Sequence, residues 1–322
     1  IKKLARDTFN SQVLTGIGLF GGFYKPDFTG IDKPVLISSS DGVGTKLKLA
    51  FMTEIHDTIG EDLVNHCVDD ILVHGARPLF FLDYIGTGKL SPDVIADVVA
   101  GLTRGCKQSQ MALLGGETAE MPDFYGPGEY DVAGFIVGVV DENHIINGAS
   151  IRPGNVCLGL PSNGLHTNGY TLARKVAFEI AGRQPDDEVE QLGTTVAKAL
   201  MAVHRNYEPI VRPLLGEIEI SGMAHITGGG LPGNLSRVLP DNCDAVLHKS
   251  AWPIPPIFTW LGDQGDLDRT DMYRAFNMGI GFVLVVPAAT ADEIETSVSD
   301  SGEKIFRIGE IVPGSGIVKM ED

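Results

Sequence analysis

Glycine and charged residues in the first half of the sequence have the composition of a metal and phosphate site. Residues 41–46 (DGVGTK) follow an apolar run, and Gly42 and Gly44 would let backbone N–H groups approach a polyanion. Lys46 would add a positive charge for a phosphate, and Asp41 would offer a cation an oxygen ligand. An ordinary turn from a strand into a helix explains the same pattern equally well.

Two further acidic segments are candidates for the same site. The apolar spacing through residues 60–75 predicts a helix whose other face carries several acids, among them Asp70, with no Lys or Arg. Because like charges repel, a divalent cation would stabilise that face, although a surface helix of an acidic protein looks the same. Gly115 and Gly116 end a buried run just before Glu117. We predict that Asp41, Asp70 and Glu117 converge on Mg²⁺, which prefers such oxygen ligands.

The second half of the sequence contains two candidate substrate loops. Residues 162–169 (SNGLHTNG) open a predicted helix, and free N–H groups with small polar side chains there suit a monophosphate, although N-capping alone also explains them. Residues 225–230 (HITGGG) end a predicted strand in three glycines, which favours close approach of a ligand. His225 is either chemically active or a hydrogen-bonded core histidine. His204 has no partner in the pattern and is interpreted as structural.

Alternating short strands and amphipathic helices must position these loops, and they predict an α/β fold of two domains with mixed sheets covered by helices. The polar stretch 141–155 suggests a boundary, with domains at 1–148 and 149–322. Strands are predicted at 35–40, 79–86, 111–116, 131–140, 156–160, 222–227, 244–248, 279–286 and 304–312. Helices are predicted at 60–75, from Ser91-Pro92 onward, and near 168–181, 194–214 and 291–299. The fingerprint Gly16-x-Gly18-x-x-Gly21 lacks a preceding strand, which indicates a turn or lid rather than a dinucleotide loop.

The composition excludes several classes of protein. A formal charge of −17 would repel phosphate backbones, so no nucleic-acid partner is expected. The longest apolar stretch, near residues 280–286, is far shorter than the ~20 residues of a membrane span. The four cysteines lie far apart without a C-x-x-C motif, which predicts neither a disulfide framework nor a zinc site. We expect a cytoplasmic protein.

Taken together and in order, these segments resemble the AIR synthetase family, the phosphoribosylformylglycinamidine cyclo-ligases. The resemblance covers about residues 19–310 and rests on SSDGVGTKLKLA, HDTIGEDLVNHCVDDILVHGARPLFFLDY, LLGGETAEMP, YDVAGFIVG, SNGLHTNGY, HITGGG, RVLPDN and MYRAFNMGIGF. It implies a homodimer whose N-terminal domains pair, ATP bound without a Walker A loop, and formylglycinamidine ribonucleotide as the substrate. The implied reaction is ATP-dependent closure of the imidazole ring in purine biosynthesis.

The resemblance also assigns roles to residues. It implies that Mg²⁺ and ATP contact Asp41, Gly42, Gly44, Thr45, Lys46, Asp70, Gly115, Gly116 and Glu117. It implies that the substrates contact Asp131, Ser162, Asn163, His166, Asn168, Gly228 and Gly229. His225 and Lys46 are the expected catalytic groups, with His225 transferring a proton or stabilising the phosphoryl group. Family members commonly have Asn-Asp where this chain has Asp69-Asp70.

Two alternatives remain at this point. Another ATP-using phosphotransferase of the same superfamily would share the acidic and glycine-rich loops. A noncatalytic nucleotide-binding module would share them too, although the joint presence of acids, lysine and glycines favours an enzyme.

Overall fold

The computed structural model describes all 322 residues, which form two compact units, Ile1–Ile145 and Ile146–Asp322. Each unit has its own sheet with helices packed on it, as the α/β prediction requires. The structural division lies in the same polar stretch as the predicted domain boundary. None of the helices is both long enough and apolar enough to span a lipid bilayer.

The first unit is a four-stranded sheet with the order β1-β4-β2-β3, in which only β2 and β3 run parallel. Its strands are β1 (Pro34–Gly42), β2 (Arg77–Thr87), β3 (Ala112–Glu120) and β4 (Tyr130–Asp141). Its helices are α1 (Lys2–Arg6), α2 (Leu47–Thr53), α3 (Ile59–Leu72) and α4 (Pro92–Gln108).

One face of this sheet is buried and the other is open. Successive strand residues point to opposite faces, and α3 packs on the face that carries the fully buried Phe81 and Ile136. The opposite face, here called the open face, carries Leu36 and Phe135, which are 61% and 44% exposed. The segment containing Gly16, Gly18 and Gly21 has no strand before it and lines a cleft of about 380 Å³ against this face. This local structure agrees with the predicted turn rather than with a strand-turn-helix dinucleotide loop.

Helices α3 and α4 touch through their backbones. A Cβ at Gly60 would lie 2.0 Å from the carbonyl oxygen of Val98, and one at Gly101 would lie 2.3 Å from that of Asp57. Neither distance is possible for real atoms, so only glycine permits this approach. The contact holds α3, which carries Asp70, firmly against α4.

The second unit contains a six-stranded sheet with the order β12-β9-β11-β5-β10-β8. Its strands are β5 (Val156–Pro161), β8 (Gly222–His225), β9 (Cys243–His248), β10 (Ile280–Val286), β11 (Phe306–Pro313) and β12 (Val318–Glu321), while β6 (Glu188–Val189) and β7 (Thr194–Thr195) form a separate hairpin. Its helices are α5 (Tyr170–Arg174), α6 (Val196–Leu200), α7 (Glu208–Val211), α8 (Gly230–Leu235), α9 (Pro256–Gly265), α10 (Arg269–Ala275) and α11 (Ala288–Asp300). Because β5 and β8 both run antiparallel to β10, they point in the same direction, and the loops that follow them lie at the same end of the strands.

The prediction of a single helix near 194–214 is wrong. The chain forms α6, leaves helical structure, and resumes at α7 with Pro209 in the first turn. Proline is tolerated there but not in a helix interior, and Pro213 ends α7 in a 3-10 turn. The interruption places His204 and Tyr207 in a nonhelical segment against the sheet. The local pattern also gave no prediction for α1, α2, α8, α9, α10, β6, β7 or β12.

Candidate functional site

The glycine-containing turn predicted to bind phosphate joins β1 to α2. Gly44 has a φ of +63°, a left-handed conformation that favours glycine, and it begins a 3-10 turn that leads into the helix. Asp41, Gly44 and Thr45 are exposed and Gly42 is partly exposed, so the predicted residues of this turn are accessible to a ligand. Asp41 also accepts a hydrogen bond from the Gly42 N–H at 2.7 Å.

Two of the three predicted metal ligands lie close together. His66 Nε2 on α3 is 2.8 Å from Asp41 Oδ2 and 4.0 Å from Asp70 Oδ2, and Ser39 Oγ donates a hydrogen bond to Asp70 at 3.0 Å. Burial alone would raise the pKa of Asp41, but the His66 and Gly42 contacts outweigh it and lower that pKa. Burial alone would lower the pKa of His66, but the surrounding carboxylates raise it. Asp41 and Asp70 thus form an acidic cluster around the His66 ring.

Glu117 does not join that cluster within one chain. The strand register aligns Asp41 with Gly134, Asp83 and Gly116 across the sheet, so Asp41 and Gly116 are separated by three strand spacings, about 14 Å. A Cβ at Gly116 would meet the Asp83 carboxylate on the buried face, so the next side chain, Glu117, points to the open face. The predicted convergence of three acids is therefore not supported by the geometry of this chain.

The open face instead gathers other predicted residues. Gly115, Gly116 and Glu117 line the cleft beside residues 16–22. Asp131 is exposed on β4 and aligns with Gly86, on the same face as Glu117. The polar residues expected to contact nucleotide are thus divided between two faces of one sheet.

Lys46 does not point outward from its loop. Its ammonium group lies 2.8 Å from Asp62 Oδ1 on α3, and both side chains have no exposed surface. Burial lowers the pKa of Lys46, while Asp62 acts in the opposite direction. This placement does not support direct phosphate contact by Lys46; the buried ion pair ties the turn to α3.

The first candidate substrate loop, residues 162–169, is held by a residue that sequence reasoning missed. Ser162 Oγ donates to Asn277 Oδ1, and Asn277 Nδ2 donates to the Gly164 carbonyl, both at 2.8 Å. Asn163 is exposed, and its side chain donates to the Val203 carbonyl at 2.7 Å. Asn277 lies in the FNMGIGF segment, which the sequence analysis quoted as a motif without predicting that Asn277 holds this loop.

The second candidate loop, residues 225–230, is held in a similar way by Asn234. The Asn234 Nδ2 group donates to the carbonyls of Thr227, Gly228 and Gly230 at 2.8 to 3.3 Å. Gly228 and Gly229 are exposed, and a Cβ at Gly228 would lie 3.3 Å from Asn168 Oδ1. The structure therefore brings the two predicted substrate loops together, with backbone groups accessible between fixed side chains.

Three buried histidines lie beneath these loops. His166 has a left-handed backbone with a φ of +63° and stacks on His204 with ring centroids 4.2 Å apart. His204 Nε2 is 3.0 Å from His225 Nε2. Sequence reasoning selected His166 and His225 and missed His204, because the break between α6 and α7 that places it here was not predicted.

The sequence matches two protein-family descriptions, one in each half. AIR synthase related protein, N-terminal domain, matches residues 29–140, and AIR synthase related protein, C-terminal domain, matches residues 152–320. Together they cover most of the chain, which belongs to the AIR synthase related family.

Curated relatives have a more specific name. The protein from Syntrophotalea carbinolica called phosphoribosylformylglycinamidine cyclo-ligase is 53% identical over 311 residues, covering 97% of this chain and 89% of the relative. A protein of the same name from Geobacter sulfurreducens is 50% identical over 323 residues, covering 99% and 93%.

Solved structures share the fold at much lower identity. Thiamine-monophosphate kinase from Stenotrophomonas maltophilia superposes with a TM-score of 0.74 at 17% identity, covering 99% of this chain and 94% of that one. The hydrogenase maturation protein HypE in complex with ATP gives 0.69 at 19% identity, covering 98% and 88%. At such low sequence identities, the similarity shows a shared fold and nothing more specific.

Proposed function

We propose that this chain is an ATP-dependent cyclo-ligase that converts formylglycinamidine ribonucleotide into aminoimidazole ribonucleotide, ADP and phosphate. The observation that carries the proposal is 53% identity over 311 residues to a relative named for this reaction. The two predicted substrate loops, which meet through Asn168 and Gly228, support it from the geometry.

The chemistry explains why ATP is needed. An amide oxygen is a poor leaving group, so ATP first phosphorylates the formamide oxygen of the substrate. The amidine nitrogen then attacks the resulting iminophosphate carbon, the ring closes, and phosphate leaves. Phosphoryl transfer depends mainly on positioning and charge neutralisation, and the activated intermediate must be kept from water.

We assign Asp41 and Asp70 as the residues of this chain that would hold Mg²⁺. Their carboxylates approach the same His66 nitrogen, both are partly accessible, and oxygen donors of this kind suit the ion. When bound, Mg²⁺ neutralises charge on the nucleotide phosphates. Gly42, Gly44 and Thr45 would contact those phosphates from the adjoining turn.

The second unit supplies the ribonucleotide contacts in this proposal. Ser162, Asn163, His166 and Asn168 belong to one loop, and Gly228 and Gly229 to the other. Backbone N–H groups in such loops bind a monophosphate without a lysine or arginine. We retain Asp131 as a proposed polar contact on the open face of the first unit, and His225 as the proposed proton acceptor during ring closure.

We further propose a homodimer that acts in the cytoplasm. The open face of the first sheet exposes Leu36 and Phe135, and a second copy of the same face would cover both. The four cysteines are buried free thiols, which is compatible with a reducing compartment.

The test is a product assay with the purified full chain, ATP and Mg²⁺. We expect aminoimidazole ribonucleotide and ADP in equal amounts when formylglycinamidine ribonucleotide is present, and no ATP turnover without it. The Asp70→Asn variant should lower kcat/KM by about 100-fold or more, because it removes a carboxylate ligand of the Mg²⁺ that would neutralise the reacting phosphates. The exposed Asp97→Asn on α4 is the matched control and should retain activity.

Two outcomes would contradict the proposal. One is wild-type protein that makes no cyclised product. The other is ATP consumption with thiamine monophosphate in place of formylglycinamidine ribonucleotide, which would indicate a phosphotransferase instead. Equal activity of the Asp70→Asn and Asp97→Asn variants would remove Asp70 from the site while leaving the reaction in place.

A further inference from the structure

The two candidate substrate loops are both in close contact with one short segment, residues 273–277, which ends α10 and precedes β10. A Cβ at Gly169, the last residue of the first loop, would lie 2.5 Å from the Phe276 ring. A Cβ at Gly230, the last residue of the second loop, would lie 1.9 Å from the Tyr273 carbonyl oxygen. Real Cβ atoms essentially never come within 3.0 Å of another heavy atom in this way. Each loop therefore approaches the segment as closely as only a glycine permits.

The same segment also holds the first loop through hydrogen bonds. Asn277 is 3% exposed, and its amide accepts from Ser162 Oγ and donates to the Gly164 carbonyl oxygen, both at 2.8 Å. Its Oδ1 also accepts from the Gly279 N–H at 2.9 Å. Turning the amide over would set its NH₂ group against the Gly279 N–H and its oxygen against the Gly164 carbonyl. The orientation of the amide, and with it the start of the loop, is therefore fixed.

The separation of the two loops matters for any ligand that touches both. The loops also meet directly, since a Cβ at Gly228 would lie 3.3 Å from Asn168 Oδ1. Backbone and side-chain groups from two loops contact one small ligand well only if they are held within a fraction of an ångström of the right geometry. Loops rely on the elements beneath them for such precision. Residues 273–277 contact both loops and so fix their separation.

Two neighbouring phenylalanines distinguish this positioning role from ordinary core packing. Phe276 and Phe258, which lies on α9, are 1% and 0% exposed, and their ring centroids are 5.8 Å apart. Both rings therefore add apolar contacts to the interior of the second unit. Only Phe276 belongs to the segment that meets both loops.

We propose that Phe276 and Asn277 are positioning residues for the proposed ribonucleotide site. Through the 273–277 segment they fix the separation of loops 162–169 and 225–230 before the substrate binds. The substrate then meets a preformed site, and its binding is not weakened by the cost of ordering the loops. This inference rests on the proposed cyclo-ligase function, which supplies the ribonucleotide.

The experiment compares three variants of the full chain. Phe276→Leu removes the ring that packs on Gly169 and keeps the side chain apolar. Phe258→Leu makes the same change at the neighbouring buried ring on α9 and is the matched control. Asn277→Asp keeps an acceptor oxygen at this position and loses the N–H donor, so it tests the segment without removing apolar volume.

Hydrogen exchange of the substrate-free protein measures the order of the loops directly. We expect Phe276→Leu to increase exchange in peptides from both loops, and Asn277→Asp to increase it in residues 162–169. Phe258→Leu should lower the thermal midpoint about as much as Phe276→Leu, because both remove similar apolar volume from the core. It should nevertheless leave loop exchange at the wild-type level. Equal loop exchange in the two phenylalanine variants would overturn the proposal, and so would wild-type loop exchange in Asn277→Asp.

Steady-state kinetics in the product assay give the second readout. If loosened loops adopt the binding arrangement about a tenth of the time, the KM for formylglycinamidine ribonucleotide rises about 10-fold. We expect this rise in Phe276→Leu and Asn277→Asp. The KM for ATP should stay at its wild-type value, because the proposed ATP and Mg²⁺ contacts lie in the first unit. Phe258→Leu should keep both KM values. An equal rise of the two KM values in Phe276→Leu would indicate general destabilisation and overturn the positioning role.

Failure of this inference and failure of the proposed function give different results. If Phe276→Leu and Asn277→Asp loosen the loops and Phe258→Leu does not, the positioning of the loops is supported even when wild type makes no cyclised product. That absence of product would count against the proposed function alone. If wild type makes the product and Phe276→Leu keeps the wild-type KM for the ribonucleotide, the inference is overturned while the function stands.

Discussion

Replacing Lys46 with Met should destabilise the first unit strongly, because it removes the cationic partner of the buried Asp62. The two charged groups are 2.8 Å apart and neither is exposed. Breaking a buried ion pair from one side costs about 3–5 kcal/mol. Lys48→Met is the matched control, since Lys48 pairs with Glu129 while 44% of its side chain is exposed. Exposed pairs contribute only about 0–1 kcal/mol.

The assay should report on this unit alone. Hydrogen exchange of α3 peptides, measured against urea concentration, gives the free energy of opening at Asp62. The double variant Lys46→Met/Asp62→Leu should recover most of the loss, because a packed apolar pair can replace a buried ion pair. We expect this double variant to keep ATP binding, measured as an ATP-dependent thermal shift.

Two results would refute this reasoning. Equal free energies of opening for Lys46→Met and Lys48→Met would show that the buried pair contributes no more than an exposed one. Loss of ATP binding in a double variant of restored stability would show that Lys46 contacts the nucleotide directly, as the sequence analysis expected.

Two further predictions concern the sheet of the first unit. Burial raises the pKa of Asp83 from 3.8 to about 7, which corresponds to about 4 kcal/mol at 1.36 kcal/mol per pKa unit. Because the unfolded chain loses this proton at a lower pH than the folded chain does, the free energy of unfolding should fall as pH rises from about 4 to 7. Asp83→Asn should remove that fall, which urea unfolding at pH 5 and pH 8 would measure. If the free energies of wild type and Asp83→Asn differ by the same amount at both pH values, the reasoning is wrong. Phe135→Glu on the open face should convert the proposed homodimer to monomer in sedimentation experiments. Phe124, which is exposed and lies outside the strands, gives the control variant Phe124→Glu, which should stay dimeric. If Phe135→Glu is still a dimer, this face is not the interface.

Local patterns predicted the four strands and the two long helices of the first unit, because these elements are long and periodic, and missed the short helices α1 and α2. The apolar positions Leu63, Val64, Cys67, Val68 and Ile71 identify α3, and Ser91-Pro92 marks the start of α4. Each signal comes from residues within a few turns of one another, so no knowledge of distant contacts was needed. The mixed α/β fold follows from this alternation.

The site was harder to predict because its geometry depends on contacts between distant residues. The sequence suggested that Asp41, Asp70 and Glu117 share a metal, but strand register and side-chain alternation place Glu117 on the other face. Lys46 has the residue type expected for phosphate, yet its direction depends on Asp62, sixteen positions away. The position of His204 depends on a helix that stops and restarts, and helix boundaries are the least certain part of a local pattern.

The backbone contact between α3 and α4 constrains the geometry of the proposed metal site. Adding even a methyl group at Gly60 or Gly101 would force the two helices apart, since the Cβ atom would enter the partner's backbone. Such a movement would carry His66 and Asp70 with α3 and change their distances to Asp41 on β1. Gly60 and Gly101, which lie outside the acidic cluster, thus set the position of the helix that carries His66 and Asp70.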